Sequence, residues 1–314
     1  MLLFFDRLAA ASPLFVLIFA GYAIVRWGGW SKEVADALTR FVFGLALPAF
    51  LFFTMSDFSR LPPVDARLLI AFFGGALIVF ILGRLVAASV FKLDGVSGSI
   101  FALGSIFSNN VMLGLPLAKA TLGDAAVPSV ALVLVFNALI LWTLVTVSIE
   151  WARHGEFSVK GFAKTARSVI TNPIVAAIVS GTLYGLTGWP LPHIVAQPLS
   201  MVGSAATPMA LVVLGMGLAE YSVREGIGQS LTVCLMKLIV LPMVVWALAW
   251  LLGLPRMETQ VVVLLSSMAM GVNVYLMSRQ FQAFEGPTAA AMVLSTVLAA
   301  VTTPVVLTLI AVLG

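Results

Sequence analysis

Charge is what this sequence has least of: 10% of its 314 residues are Asp, Glu, Lys or Arg, against 61% hydrophobic residues and a mean hydropathy of +1.12. Thirteen acidic and seventeen basic side chains cannot cover a water-soluble globule of this length, so the chain reads as an all-α integral membrane protein. That excludes the soluble enzyme folds. Acids are missing where they would matter most, since Asp57, Glu150, Glu220 and Glu285 stand near the ends of apolar runs and none at a centre. Proton and cation relays within membranes use such central acids, and prenyl-transfer chemistry uses clustered aspartates to hold magnesium diphosphate. Of the two histidines, His154 and His193, both fall in predicted loops, leaving no HExxH zinc site and no serine–histidine pair inside an apolar run. The single cysteine, Cys234, lies within an apolar run and excludes an intramolecular disulfide or a CxxC metal site. The expectation is a protein that is not an enzyme, with no metal and no cofactor. Its net charge of +4 reads as loop asymmetry rather than nucleic-acid binding.

Long apolar runs are abundant. Ten predicted spans lie near 11–27, 34–56, 67–90, 97–120, 125–150, 169–188, 196–219, 227–252, 258–280 and 287–313. The first is expected to be retained, because Arg26-Trp27-Gly28-Gly29-Trp30 follows it where a cleaved signal needs small residues. If loops alternate sides, one side carries Arg7, Arg60, Arg67, Lys119 and Arg256. The other carries Arg26, Lys32, Arg40, Arg84, Lys92, Arg153, Lys160, Lys164, Arg167, Arg224 and Arg279 and is expected to be cytoplasmic, in a cell inner membrane with both termini outside. The longest polar stretch, Arg153 to Arg167, becomes a cytoplasmic link whose Lys160, Lys164 and Arg167 share one helical face.

That link separates residues 1–151 from 168–314, with 152–167 between them, and the two halves correspond. Pro48 matches Pro208 and Ser12-Pro13 matches Asn172-Pro173, both at an offset of 160 residues (208 − 48 and 172 − 12). Asn110 matches Asn273 and Gly123 matches Gly286 at an offset of 163 (273 − 110 and 286 − 123). Five spans return the chain to the opposite side, so a duplicated five-span unit is inverted in the membrane. This five-plus-five inverted repeat is an architecture of secondary transporters.

Spans four and nine carry the chemistry. Span four holds Ser105, Ser108, Asn109, Asn110, Gly114 and Pro116 near its middle, and span nine holds Ser266, Ser267, Gly271, Asn273 and Tyr275. Pro116 is expected to open a new half-helix, with Asn109 or Asn110 at or just before its start. Interrupted backbone at membrane depth is tolerated where it is buried in protein or lines a wet cavity. Half-helix N-termini there present amide hydrogens and positive dipole ends, which favour an anion, and asparagine amides add donors. Asn137 in span five has no such counterpart. Gly74, Gly75, Gly83, Gly181, Gly185, Gly215 and Gly217 read as helix-packing residues. Lys237 stands well inside span eight, where a cation costs roughly 2.5–3.5 kcal/mol. Three roles are open to it: replacing a sodium ion at helix C-terminal carbonyls, binding the substrate carboxylate, or snorkelling to the interface.

Asn110-Val111-Met112-Leu113-Gly114-Leu115-Pro116-Leu117, Lys237-Leu238-Ile239-Val240-Leu241-Pro242 and Met270-Gly271-Val272-Asn273-Val274-Tyr275 resemble the auxin efflux carrier family, above all its bacterial malonate or malate carriers. The resemblance covers essentially the whole chain. It implies a bile-acid-symporter/NhaA-like fold in which spans 1, 2, 6 and 7 form a scaffold and spans 3–5 with 8–10 form a moving transport domain. Broken spans four and nine would cross near Asn110 and Asn273 and bind a small organic carboxylate. The substrate-binding set is then Asn109, Asn110, Gly114, Pro116, Gly271, Asn273 and Tyr275, with Lys237 as the ion-site or coupling residue. Plant members carry a long central loop and often a proline in the ninth span; here the loop is short and Gly271 has no proline beside it. The expected function is elevator-type secondary transport of a mono- or dicarboxylate such as malonate. An anion-sensing or channel-like module without coupled transport is the alternative. A homodimer through the scaffold fits the resemblance.

Overall fold

The computed structural model describes residues 2–56, 64–154, 173–219 and 226–313. The surface turn predicted at Lys160, Lys164 and Arg167 lies outside them. Within the described residues the chain is helical apart from its connecting turns and one isolated antiparallel β-bridge. In order the helices are α1 (Leu2–Arg26), α2 (Lys32–Met55), α3 (Leu68–Ser89), α4 (Gly95–Gly104), α5 (Leu115–Leu122), α6 (Val127–His154), α7 (Pro173–Leu186), α8 (His193–Leu218, interrupted at Ala205), α9 (Ile227–Leu251), α10 (Arg256–Ser266), α11 (Val272–Phe281) and α12 (Glu285–Leu313). Among these, α2, α3, α8, α9 and α12 are long and apolar enough to cross a membrane, and shorter apolar helices accompany them.

Helix α3 shows why lipid must be the solvent. Leu68, Ala71, Phe72, Gly75, Ala76, Val79, Phe80, Gly83 and Ala87 recur at helical spacing and are buried. The opposite face is just as apolar, with Ile70, Leu77, Ile81 and Leu85 exposed. In water that outer face would be unstable, whereas hydrocarbon accepts it. Asp94 fixes where the next helix begins: its carboxylate accepts from the amides of Val96 at 2.9 Å and Ser97 at 3.0 Å, capping α4.

Three wide π turns interrupt the helices, and each is followed at once by Leu-Pro: Val42–Ala46 before Leu47-Pro48, Asn110–Gly114 before Leu115-Pro116, and Met236–Val240 before Leu241-Pro242. In each, the leucine amide donates five residues back, to Val42, Asn110 and Met236 respectively. The cause is steric. A helical proline has no N–H and its ring meets the carbonyl four residues earlier, and one extra residue in the preceding turn moves that carbonyl aside.

The helices pack as two groups. In one, α1 lies along the second half of α8, and the second half of α2 packs on α7 and the first half of α8. In the other, α3 packs on α4 and α9, while α9 also packs on α10 and α12, and α4 on α6. The groups touch where α1 meets α5 and α12. The α1–α8 contact is backbone against backbone: a Cβ at Gly215 would lie 1.8 Å from the Ile18 carbonyl oxygen, and one at Gly21 2.0 Å from that of Val212. Of the other glycines expected to pack helices, Gly75 and Gly181 abut Val245 and Phe52, while Gly217 meets nothing within 4 Å.

Candidate functional site

The two interruptions meet. Helix α4 ends at Gly104 and helical backbone resumes at Asn110; α10 ends at Ser266 and α11 begins at Val272. Between these ends the chain is extended and pairs across the gap: the Asn109 amide donates to the Ala269 carbonyl and the Gly271 amide to the Phe107 carbonyl, each at 2.9 Å, closing an antiparallel bridge between Ser108 and Met270. Met270 is held in turn by its amide donating to Ser295 Oγ of α12 at 3.0 Å. The pairing satisfies backbone groups that the broken helices leave without partners.

Asn109 turns the chain out of this bridge into the next helix. Its φ of −77° and ψ of 63° are those of an inverse γ-turn, and the Asn110 amide closes it on the Ser108 carbonyl at 2.9 Å. Asn109 Oδ1 then accepts from the Met112 amide at 3.3 Å, which leaves its Nδ2 pointing elsewhere. Helical backbone therefore restarts six residues before Pro116, not at it. Pro116 sits inside the first turn of α5, accommodated by the π turn between Asn110 and Gly114.

Glycine allows this packing to close. A side chain at Gly114 would press on Leu265 at 2.9 Å and on Asn110 Oδ1 at 3.3 Å, and one at Gly271 on Phe107 at 2.9 Å and the Ser108 carbonyl at 3.2 Å. Asn109, Asn110, Gly114 and Gly271 are thus brought together. Asn273 lies in the first turn of α11, half-buried, and Tyr275 follows it on the same helix, also half-buried.

The polar groups at the crossing have a clear imbalance. Ser108 Oγ, Asn109 Nδ2 and both side-chain polar atoms of Asn110 are buried with no hydrogen-bond partner, and their residues are 1%, 6% and 2% exposed. Buried polar atoms are nearly always partnered, so an orphaned cluster at one place is unusual. Asn137 Oδ1 in α6 is likewise unpartnered.

Helix ends meet at the crossing with unequal partners. Two helix N-termini, those of α11 and of the Asn110 turn leading into α5, begin at the crossing, and Gly271 offers no side chain to cap the first. The carbonyl end of α10 is already partnered: Lys237 is completely buried and its Nζ donates to the Ser266 carbonyl at 2.5 Å, while the Thr303 hydroxyl donates to the Ser267 carbonyl at 3.4 Å. Lys237 therefore does not snorkel. Neither of the two helix starts carries an acidic residue in its first turn. At the far end of α5, about 13 Å from Asn110 by helical rise, a cavity of about 680 Å³ opens between α2, α7, α8 and the α5–α6 turn. There Lys119 rests on Asp124 at 3.3 Å and over the Phe50 ring at 4.7 Å.

Residues 8–307 match the family model described as membrane transport protein. The chain belongs to the auxin efflux carrier family of membrane transport proteins. Among this carrier's relatives, an uncharacterised transporter of Methanocaldococcus jannaschii is 26% identical over 267 residues, covering 81% of this chain and 82% of that one. The "Putative malonate transporter" of Rhizobium meliloti is 25% identical over 296 residues, 92% of this chain and 91% of the relative. Auxin efflux carrier component 2 of Arabidopsis thaliana is 25% identical over 181 residues, which is 56% of this chain and 27% of the plant protein. The family is one of multi-pass membrane transporters rather than enzymes.

Sequence reasoning did not single out every residue that builds the carrier's crossing. Ser295 fixes Met270, and Thr303 fixes Ser267, both from α12. The available signal was the run of hydroxyls Ser295, Thr296, Thr302 and Thr303 deep within that helix, where each needs a partner. Ser266 and Ser267 were visible as part of the break; a helix C-terminal carbonyl was one of three partners open to Lys237 and proves to be that of Ser266, whereas the use of the Ser267 carbonyl by Thr303 was not foreseen.

Proposed function

We propose that the protein is a secondary transporter of a small organic anion, a mono- or dicarboxylate such as malonate, bound where the two helix interruptions cross. The observation that carries the reading is the cluster of orphaned polar atoms at Ser108, Asn109 and Asn110, set beside two helix N-termini. Asn109, Asn110, Gly114, Pro116, Gly271, Asn273 and Tyr275 form the binding set. In this reading the chain is a ten-span, five-plus-five inverted repeat in an inner membrane, with its termini outside. The α1, α2, α7 and α8 group is the scaffold. The group holding α3–α6 and α9–α12 is the body that carries the anion past it, elevator fashion. The grouping of contacts supports this division, and the cavity beside Lys119 is the outer vestibule.

Purified protein in liposomes is expected to exchange external radiolabelled malonate for internal unlabelled malonate. Counterflow is decisive because a carrier shows it and a sensor or channel-like module does not. Absence of counterflow across a panel of short mono- and dicarboxylates would remove the transporter reading.

Lys237 acts in this reading as a built-in cation, its ammonium standing where a sodium ion would otherwise meet the carbonyl end of α10. Transport then needs no sodium. Lys237→Met is expected to cut malonate exchange about tenfold or more in sodium-free buffer, since it uncaps a buried carbonyl worth about 1–3 kcal/mol. Unchanged exchange with unchanged ion dependence would refute this role.

A further inference from the structure

The orphaned atoms at the crossing are not all donors. Asn109 has its Oδ1 committed to the Met112 amide and presents only Nδ2, a donor. Asn110 presents both Nδ2 and Oδ1, buried and unpartnered, so its amide offers one donor and one acceptor side by side. Turning that amide over exchanges the two positions and leaves the same pair. A carboxylate satisfies Nδ2 but sets an oxygen lone pair against Oδ1. A carboxyl group that keeps its proton satisfies both: its C=O accepts from Nδ2 and its O–H donates to Oδ1.

Among the described residues, no acidic side chain stands at the crossing ends of the elements packed on the Asn110 turn. The elements packed on the Asn110 turn are α5, α10 and the second half of α8. Residues 206–218 of α8 contain no titratable side chain. On α5, Lys119 lies at the far end against Asp124 and Phe50. On α10, Arg256 and Glu258 stand in the first turn, at the opposite end from the crossing. On α9, Lys237 faces the Ser266 carbonyl at the crossing end of α10, and on α11 the Tyr275 phenol stands within the first turn.

Building on the carrier reading, we infer that the cargo is a half-protonated dicarboxylate: its carboxyl group pairs two-fold with the Asn110 amide, while its carboxylate is held by Asn109 Nδ2 and the helix N-termini. The proton thus travels on the substrate itself, and transport is coupled to it without a side-chain carboxylate at the site. A water molecule could also bridge Nδ2 and Oδ1, but it would impose no preference for the protonated form, and that difference is measurable.

The test uses the intact wild-type protein in liposomes and a matched ligand. Malonamate carries one carboxylate and one primary amide, whose N–H and C=O reproduce the donor and acceptor of the protonated carboxyl at every pH. Malonate exchange is expected to show a KM that rises about tenfold for each pH unit above the second ionisation of malonate, with the maximum rate unchanged. Malonamate should compete with an inhibition constant that stays within about twofold over the same range, because it has no proton to lose. A pH-independent KM for malonate, or malonamate that fails to compete while malonate is exchanged, overturns the inference and leaves the carrier reading standing. If neither malonate exchange nor stabilisation of the protein by either compound is found, both fall together.

Discussion

Gly215→Ala is expected to prevent stable assembly, or to lower Tm in detergent by about 10 °C if the protein still folds. The added methyl would sit 1.8 Å from the Ile18 carbonyl oxygen, 2.7 Å from its carbon and 2.9 Å from the Tyr22 nitrogen. All three are backbone atoms, so no rotamer change relieves the overlap and α1 must move bodily away from α8. Overpacking costs typically about 1–3 kcal/mol where side chains can yield, and here they cannot, so about 3 kcal/mol is a lower figure. Gly217→Ala supplies the control on the same helix, two residues away, where a new Cβ meets nothing within 4 Å. It should leave Tm unchanged or raise it slightly, because alanine favours helix over glycine by about 1 kcal/mol. Equal melting temperatures for the two variants would show that the α1–α8 approach is not the tight contact described.

Asn110→Ala should separate stability from transport. In most buried positions, truncating a polar side chain destabilises the protein because its partner is left unsatisfied. Here neither polar atom of the Asn110 amide has a partner to leave behind. Removing an unmatched buried amide relieves a desolvation cost of about 1–3 kcal/mol, so Tm is expected to hold or rise. Malonate exchange should meanwhile fall about a hundredfold, the loss of two hydrogen bonds to a charged or acidic ligand. A variant that melts earlier yet transports normally would mean that Asn110 only fills space between helices. Gains in stability at the expense of activity are the signature of a group kept for function.

The spans could be read closely because their signal is compositional. Span two, predicted at 34–56, is Lys32–Met55, and span eight, predicted at 227–252, is Ile227–Leu251. Apolar runs of membrane length leave little freedom to place a helix elsewhere. Both interruptions were legible too, since Ser, Asn, Gly and Pro crowd into them. Where helical backbone restarts was less so. A proline suggests a first turn, but the π turn lets Pro116 sit within a helix already begun at Asn110. The bridge between Phe107–Asn109 and Ala269–Gly271 was illegible for a different reason: two short extended pieces far apart in sequence have no periodicity that could announce their pairing. Lys237 stood out as a cation in an apolar run, but its partner is a main-chain oxygen, which no side-chain pattern marks.

That the crossing is tied main chain to main chain has an evolutionary consequence. The two hydrogen bonds joining the interruptions involve the amides of Asn109 and Gly271 and the carbonyls of Ala269 and Phe107, so apart from the glycine at 271 that the close approach requires they are made by main-chain groups that every residue but proline supplies. Residues around them can therefore be exchanged without unfastening the junction. Under the proposed function, a lineage retunes which acid it accepts by altering neighbours such as Ser108, Asn273 or Tyr275, while the knot itself persists unchanged beneath the new chemistry.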